Sequence, residues 1–180
     1  MPQDWTIGAG GLAAGTMIGT PQGARPVEDL APGDAVKVDG LRAYPVLWCG
    51  CLPGVPVFRL VQAGRTPLWL AASHHIVLED AVVQLQFGMD AVLAEAGLVG
   101  GTPAPARAVH VLCLERHATV EANGWPVETL FLTAEIAERI THAGGPRIEP
   151  HRQACLPTLY PDEIALWRQV SGPVQRPKAA

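Results

Sequence analysis

The chain has 180 residues, 48% of them hydrophobic and 17% charged, with a formal net charge of -4 at neutral pH. That length suits one domain with a real core and is short for two, and the acidic balance lacks the basic footprint of a nucleic-acid binder. The longest apolar stretch, Trp69 to Leu78, is interrupted by Ser73, His74 and His75 and falls well short of the ~20 residues of a membrane span, so neither nucleic acid nor membrane is expected as a partner.

Residues 1–10 read as a leader without the basic flank and apolar run of a signal peptide, which makes the cytoplasm the default expectation. From there, 19 glycines and 17 prolines punctuate short apolar runs, the rhythm of an all-β fold. Thr16 to Thr20 reads as a strand, Pro21 to Gly23 as a turn, and Val27 to Leu30 as a connector before the turn Ala31-Pro-Gly-Asp34. Val36 to Val38 alternates, and Asp39-Gly40 turns the chain again. Leu41 to Trp48, Val55 to Val61, Pro67 to Ala71 and Ile76 to Leu78 read as further strands. Met89 to Ala96 predicts two turns of helix, with Gly97 as its stop. Val109 to Leu114 is apolar on both faces and should be a central strand. Asn123-Gly124 is a hairpin signal. Ala134 to Ile140 and Pro161 to Val170 read as short helices, the latter with proline in its first turn and with Ile164 and Trp167 to dock it.

The expected division is therefore a leader at 1–10, a β domain at 11–140 with one or two short helices, an extension with a short helix at 141–170, and a frayed tail at 171–180. Four cysteines, Cys49, Cys51, Cys113 and Cys155, have neither the density of a disulfide scaffold nor paired zinc-finger spacing, and buried free thiols are expected.

Three segments, in order, carry a resemblance. Gly11 to Gly40, with Gly15-Thr16 and Val27-Glu-Asp-Leu-Ala-Pro-Gly-Asp-Ala-Val36, is similar to the opening of bacterial hedgehog/intein (Hint) domains of the hedgehog-like subgroup, which usually begins with cysteine. Leu70 to Leu78 resembles the family's Thr/Ser-x-x-His block. Val109 to Thr129, with Glu115-Arg-His117 and Asn123-Gly124, resembles its closing strands. The resemblance implies the Hint fold, a compact pseudo-twofold arrangement of curved strands, and an autoprocessing, self-cleaving lineage.

In Hint domains that cleave, the first residue's thiol or hydroxyl attacks the carbonyl before it, and a histidine assists the departing amide nitrogen. By this resemblance the nucleophile position is Gly11, which offers neither sulfur nor oxygen, so the site reads as degenerate. His74 stands at the block's histidine, and the Thr/Ser position is Ala71. An alternative register, His75 with Ala72, lacks the hydroxyl as well. Inteins end in His-Asn; here Glu128 and Thr129 hold those places, and threonine cannot cyclise to a succinimide. Protein splicing is thereby excluded.

The expected function is a Hint domain silent in autoproteolysis and retained as a binding or scaffold module for a protein or peptide partner. Two alternatives stand beside it: slow His74-assisted hydrolysis of the Gly10-Gly11 bond, and zinc binding by His74, His75, His117 and Cys113. No cofactor and no metal are expected, because adjacent histidines on a strand point apart. His117 should line the old cleft. His75 should face solvent, His110 should be core, and His142 and His151 should lie at the surface.

Overall fold

The computed structural model describes residues 10–172, so most of the expected leader and the last eight residues of the expected tail lie outside it. Among the described residues the strands are β1 (Leu12–Ala13), β2 (Met17–Thr20), β3 (Gly23–Pro26), β4 (Ala35–Val38), β5 (Arg42–Leu60), β6 (Leu68–Ala71), β7 (His75–Leu78), β8 (Val92–Glu95), β9 (Thr102–Leu114), β10 (Thr119–Ala122) and β11 (Trp125–Glu128). Three helices accompany them: α1 (Ala81–Phe87), α2 (Ala134–His142) and α3 (Pro161–Ser171). Val27–Asp29 is a single 3-10 turn. The fold is predominantly β, as the glycine and proline rhythm predicts.

All pairings between named strands are antiparallel. The short β1 sits between β6 and β9, β9 runs against β5, and β5 returns to pair with β6, so these four strands close on themselves. Beyond β5 the sheet continues through β4, β10, β11, β7 and β8, with the β2–β3 hairpin leaning on β10. The central place expected for Val109 to Leu114 is what its two apolar faces require: Val109, Leu112, Cys113 and Leu114 are all buried, and β9 has neighbours on both sides.

Two element readings change. The stretches Leu41 to Trp48 and Val55 to Val61 are one strand, β5, which passes the Pro53-Gly54 break by register shifts against β9, one of them between Leu52 and Val55; such bulges let a strand bend without ending. Met89 to Ala96 is not a helix: Val92, Leu93 and Ala94 are buried as β8, paired with β7. The helix lies just before it. Asp80 caps α1 by accepting the Val83 amide at 2.9 Å, and Gly88 closes it in the left-handed region at φ 66°, the αL ending that glycine alone adopts without strain.

The main core is formed by Ile18, Val36, Leu70, Ile76, Leu112, Leu114 and Val127 with their neighbours. Helix α3 docks as expected through Ile164 and Trp167, both buried, and the Trp167 indole donates to Asp80 Oδ2 at 3.0 Å. Helix α2 covers a second cluster around Cys113, Leu130, Leu132 and Ile140. Asn123 and Gly124 form the β10–β11 turn with φ of 53° and 80°, and Asn123 does more than turn the chain. Its Oδ1 accepts the Met17 amide at 2.9 Å, and its Nδ2 donates to the Pro67 carbonyl at 2.9 Å. All four cysteines are free, as expected, but Cys51 is exposed and only Cys113 is fully buried.

Candidate functional site

The β1 strand is two residues long, yet its position is fixed from both sides. Leu12 pairs with Leu70 on β6 and with His110 on β9. Just ahead of it the Gly11 carbonyl accepts the Ala71 amide at 2.9 Å. The Gly11 amide donates to Nδ1 of His74 at 3.1 Å. The peptide bond between Gly10 and Gly11 is thus held at one end of a buried histidine.

His74 lies in the turn between β6 and β7, where its own amide donates to Ala71 O and its carbonyl accepts from Ala96 N. Only 5% of the residue is exposed, and burial pushes the imidazole down to about 4, against the opposing pull of the Glu128 charge. The ring is therefore neutral near pH 7. Because Nδ1 accepts, the ring proton sits on Nε2, which is buried and has no partner among the described residues. Any Cβ on Gly10 would overlap this ring and come within 2.8 Å of His74 Cα, so the close approach demands glycine there.

Next to His74, one carboxylate organises two more histidines. Glu128, the last residue of β11, takes His75 Nδ1 at 2.5 Å on one oxygen and His117 Nε2 at 3.1 Å on the other. The His75 amide adds a third bond at 3.2 Å. Burial alone would raise the Glu128 carboxyl, but the bonds from His117 and His75 hold it down to about 2. His75 is raised from its ordinary value: its burial disfavours charge, and the bond and charge of Glu128 outweigh that. His117 is buried, and its Nδ1 accepts the Cys155 amide at 3.1 Å, so the ring donates through Nε2 to Glu128 and to the Thr129 carbonyl. Thr129 is also buried, its hydroxyl accepting from Ala118 N at 3.1 Å.

A cavity of about 310 Å³ opens beside these groups, lined by Gly10, His74, His75, His110, Glu128 and Thr129 with apolar residues around them. A larger depression of about 860 Å³, bordered by Arg42, Tyr44, Arg116 and His151, meets the same cluster only through His117. The smaller one is lined by Gly10, at the Gly10-Gly11 bond, and is the candidate site.

The structure brings Gly11, His74 and Ala71 into direct contact, and joins His75 and His117 through Glu128; His117, expected to line the cleft, borders the larger depression and not the cavity beside Gly10. It corrects several side-chain expectations. His75 does not simply face solvent, because the Glu128 bond draws it in to 22% side-chain exposure. His110 is half-buried at the cavity wall, with Nε2 3.8 Å from the Cys51 sulfur. His151 is half-buried, bonded to Leu132 N and Leu114 O, whereas His142 is exposed as expected. Sequence reasoning placed Glu128 only where inteins carry their penultimate histidine, and missed its role between His75 and His117. Strand alternation gave no signal for it, since Trp125 and Val127 take the buried face and Glu128 the other.

The four residues weighed for zinc do not converge. Cys113 packs in the α2 cluster with Leu130 and Leu132, both nitrogens of His117 are engaged, and among the described residues no group of three His, Cys, Asp or Glu side chains is placed to hold a metal ion.

With this geometry in hand, comparison with known proteins gives three findings. Residues 11–52 match the model of the Hint domain family. No curated protein matches. Among solved structures, the chain is similar to a bacterial intein-like domain from Clostridium thermocellum, at 17% identity and a TM-score of 0.50, covering 66% of this chain and 96% of that one. It is equally similar to a DnaB intein from Synechocystis sp. PCC 6803, at 11% identity and a TM-score of 0.50, covering 68% of this chain and 99% of that one.

Proposed function

Since the chain carries a Hint-domain segment on an intein-like fold, we propose that it is an autoprocessing-type domain whose self-cleavage does not begin. The observation that carries this reading is the His74–Gly11 bond at 3.1 Å around a residue with no side chain. His74 contacts the nitrogen that would depart, so the amide is positioned as the lineage's chemistry requires. The attack on the Gly10 carbonyl needs a sulfur or oxygen carried by residue 11, and glycine carries neither.

Protonation of the departing nitrogen is also disfavoured. With the imidazole held to about 4, only about one molecule in a thousand carries the His74 proton at pH 7. Ala71 supplies its backbone amide to Gly11 O and no hydroxyl. What the domain retains is a cleft beside β1, and we assign it the holding of an extended peptide segment, from its own chain or from a partner.

Intact-mass spectrometry of the purified chain after prolonged incubation at pH 5, 7 and 8.5 tests the silent reading. The expected mass is that of the uncleaved chain. A species beginning at Gly11 would instead support hydrolysis of the Gly10-Gly11 bond by a His74-assisted water, a reading favoured by one feature, the Glu128–His75 pair on the wall of the cavity that holds Gly10.

A further inference from the structure

An absent side chain leaves room that something else fills. A Cβ placed on Gly11 would stand 2.7 Å from Val109 Cγ2 and 2.9 Å from Val109 Cβ, well inside the ~3.5–4.0 Å at which carbon atoms pack. Val109 cannot easily withdraw. It is fully buried, in a cluster with Leu52 and Val57, and its backbone is fixed by pairing with Ala13 on one side and Leu52 on the other. Its β-branched side chain has few rotamers to choose from.

We propose that Val109 is a second block to acyl transfer, its isopropyl group filling the volume that a side chain at position 11 requires. The inference rests on Gly11 standing at the nucleophile position, and it changes what restoring the chemistry takes. Replacing Gly11 alone puts a side chain into occupied space. Shortening Val109 to alanine removes the 2.7 Å contact and leaves the one to Cβ at 2.9 Å, which a shift of β1 by a few tenths of an ångström relieves, and then an introduced thiol can reach the Gly10 carbonyl. In that step the sulfur bonds to the carbonyl carbon, the carbon–nitrogen bond breaks, and the thiol proton passes to the departing amine. An added small thiol then takes residues 1–10 as a new thioester and returns the protein thiol.

A stability cycle tests the packing claim without relying on cleavage. Gly11→Ala should lower the Tm by at least about 4 °C, on the scale by which core overpacking costs stability in a chain of this size. Val109→Ala should lower it in the parent background, where it leaves a cavity, and raise it in the Gly11→Ala background. Backbone strain at residue 11 would act equally with either residue at 109, so a Val109→Ala loss that shrinks or reverses in the Gly11→Ala background supports the proposal. Equal loss from Val109→Ala in both backgrounds overturns it. With added thiol, Gly11→Cys/Val109→Ala should release residues 1–10 at least tenfold faster than Gly11→Cys; equal release by the two also overturns it. A trimmed parent chain would refute the silent reading and leave the Tm comparison, and what it says of Val109, unaffected.

Discussion

His74 Nδ1 receives the amide proton of Gly11, a residue 63 positions away in sequence, and this one bond joins the β6–β7 turn to the first strand. It also fixes the tautomer of the neutral ring, with the proton on Nε2. A buried imidazole held to about 4 stays neutral in the folded state, while the unfolded chain takes up a proton near the ordinary value of 6.5.

Folding stability should therefore fall as pH drops from about 6.5 to 4, by up to about 3 kcal/mol from this residue. Above 6.5 both states are neutral and the contribution to pH dependence vanishes. His74→Gln retains an acceptor and cannot titrate. Urea unfolding at pH 7 and pH 5 should show a marked loss for the parent chain and a much smaller one for the variant; equal losses would show that His74 is not the source.

Glu128 acts in the same direction at lower pH. Its carboxyl, held to about 2, adds stability that is present above about 4.5 and lost as pH falls toward 2. Glu128→Gln should cost about 2–4 kcal/mol at pH 7, as expected for removing one partner of a largely buried ion pair. The same change leaves burial of His75 unopposed by its main favourable partner. The His75 titration, followed by NMR, should move from above its ordinary value to below it. An unmoved His75 would mean the Glu128 bond does not govern that ring.

Asn123 combines a left-handed turn with two bonds to distant backbone, at Met17 and Pro67. Asn123→Ala loses both and puts a less tolerant residue at φ 53°. A cost of about 2–3 kcal/mol is expected in thermal or urea unfolding. A loss under about 0.5 kcal/mol would reduce Asn123 to an ordinary hairpin residue.

Trp167 is the anchor of α3, buried against the core and bonded to the residue that caps α1. Trp167→Ala should cost about 3–5 kcal/mol if the rest of the helix stays in place. Undocking is the other route to relief, and limited proteolysis should then cut the variant within 145–160 sooner than the parent. Unchanged cleavage together with unchanged stability would show that α3 is held by other contacts.

Much of this architecture was legible in the sequence because its signals are local. Asn123-Gly124, the proline of α3 and the double apolar face of Val109 to Leu114 each state their own structure. Met89 to Ala96 misled because a short apolar run has no period long enough to separate helix from strand, whereas Asp80 and Gly88 mark the true helix ends. Gly11, His74 and Ala71 were legible as a pattern of positions. What no pattern contains is the neighbour across the sheet: Val109 against Gly11, or Glu128 between His75 and His117, arises only when β1, β9 and β11 take their places.

The 19 residues of β5 serve two masters. The strand shares its bonds with β6 and β9 on one side of the molecule and with β4 on the other, so its loss strips partners from both parts of the sheet. Neither half has a boundary at which melting could pause, and the domain should come apart in a single cooperative event, the bond between His74 and Gly11 going with everything else.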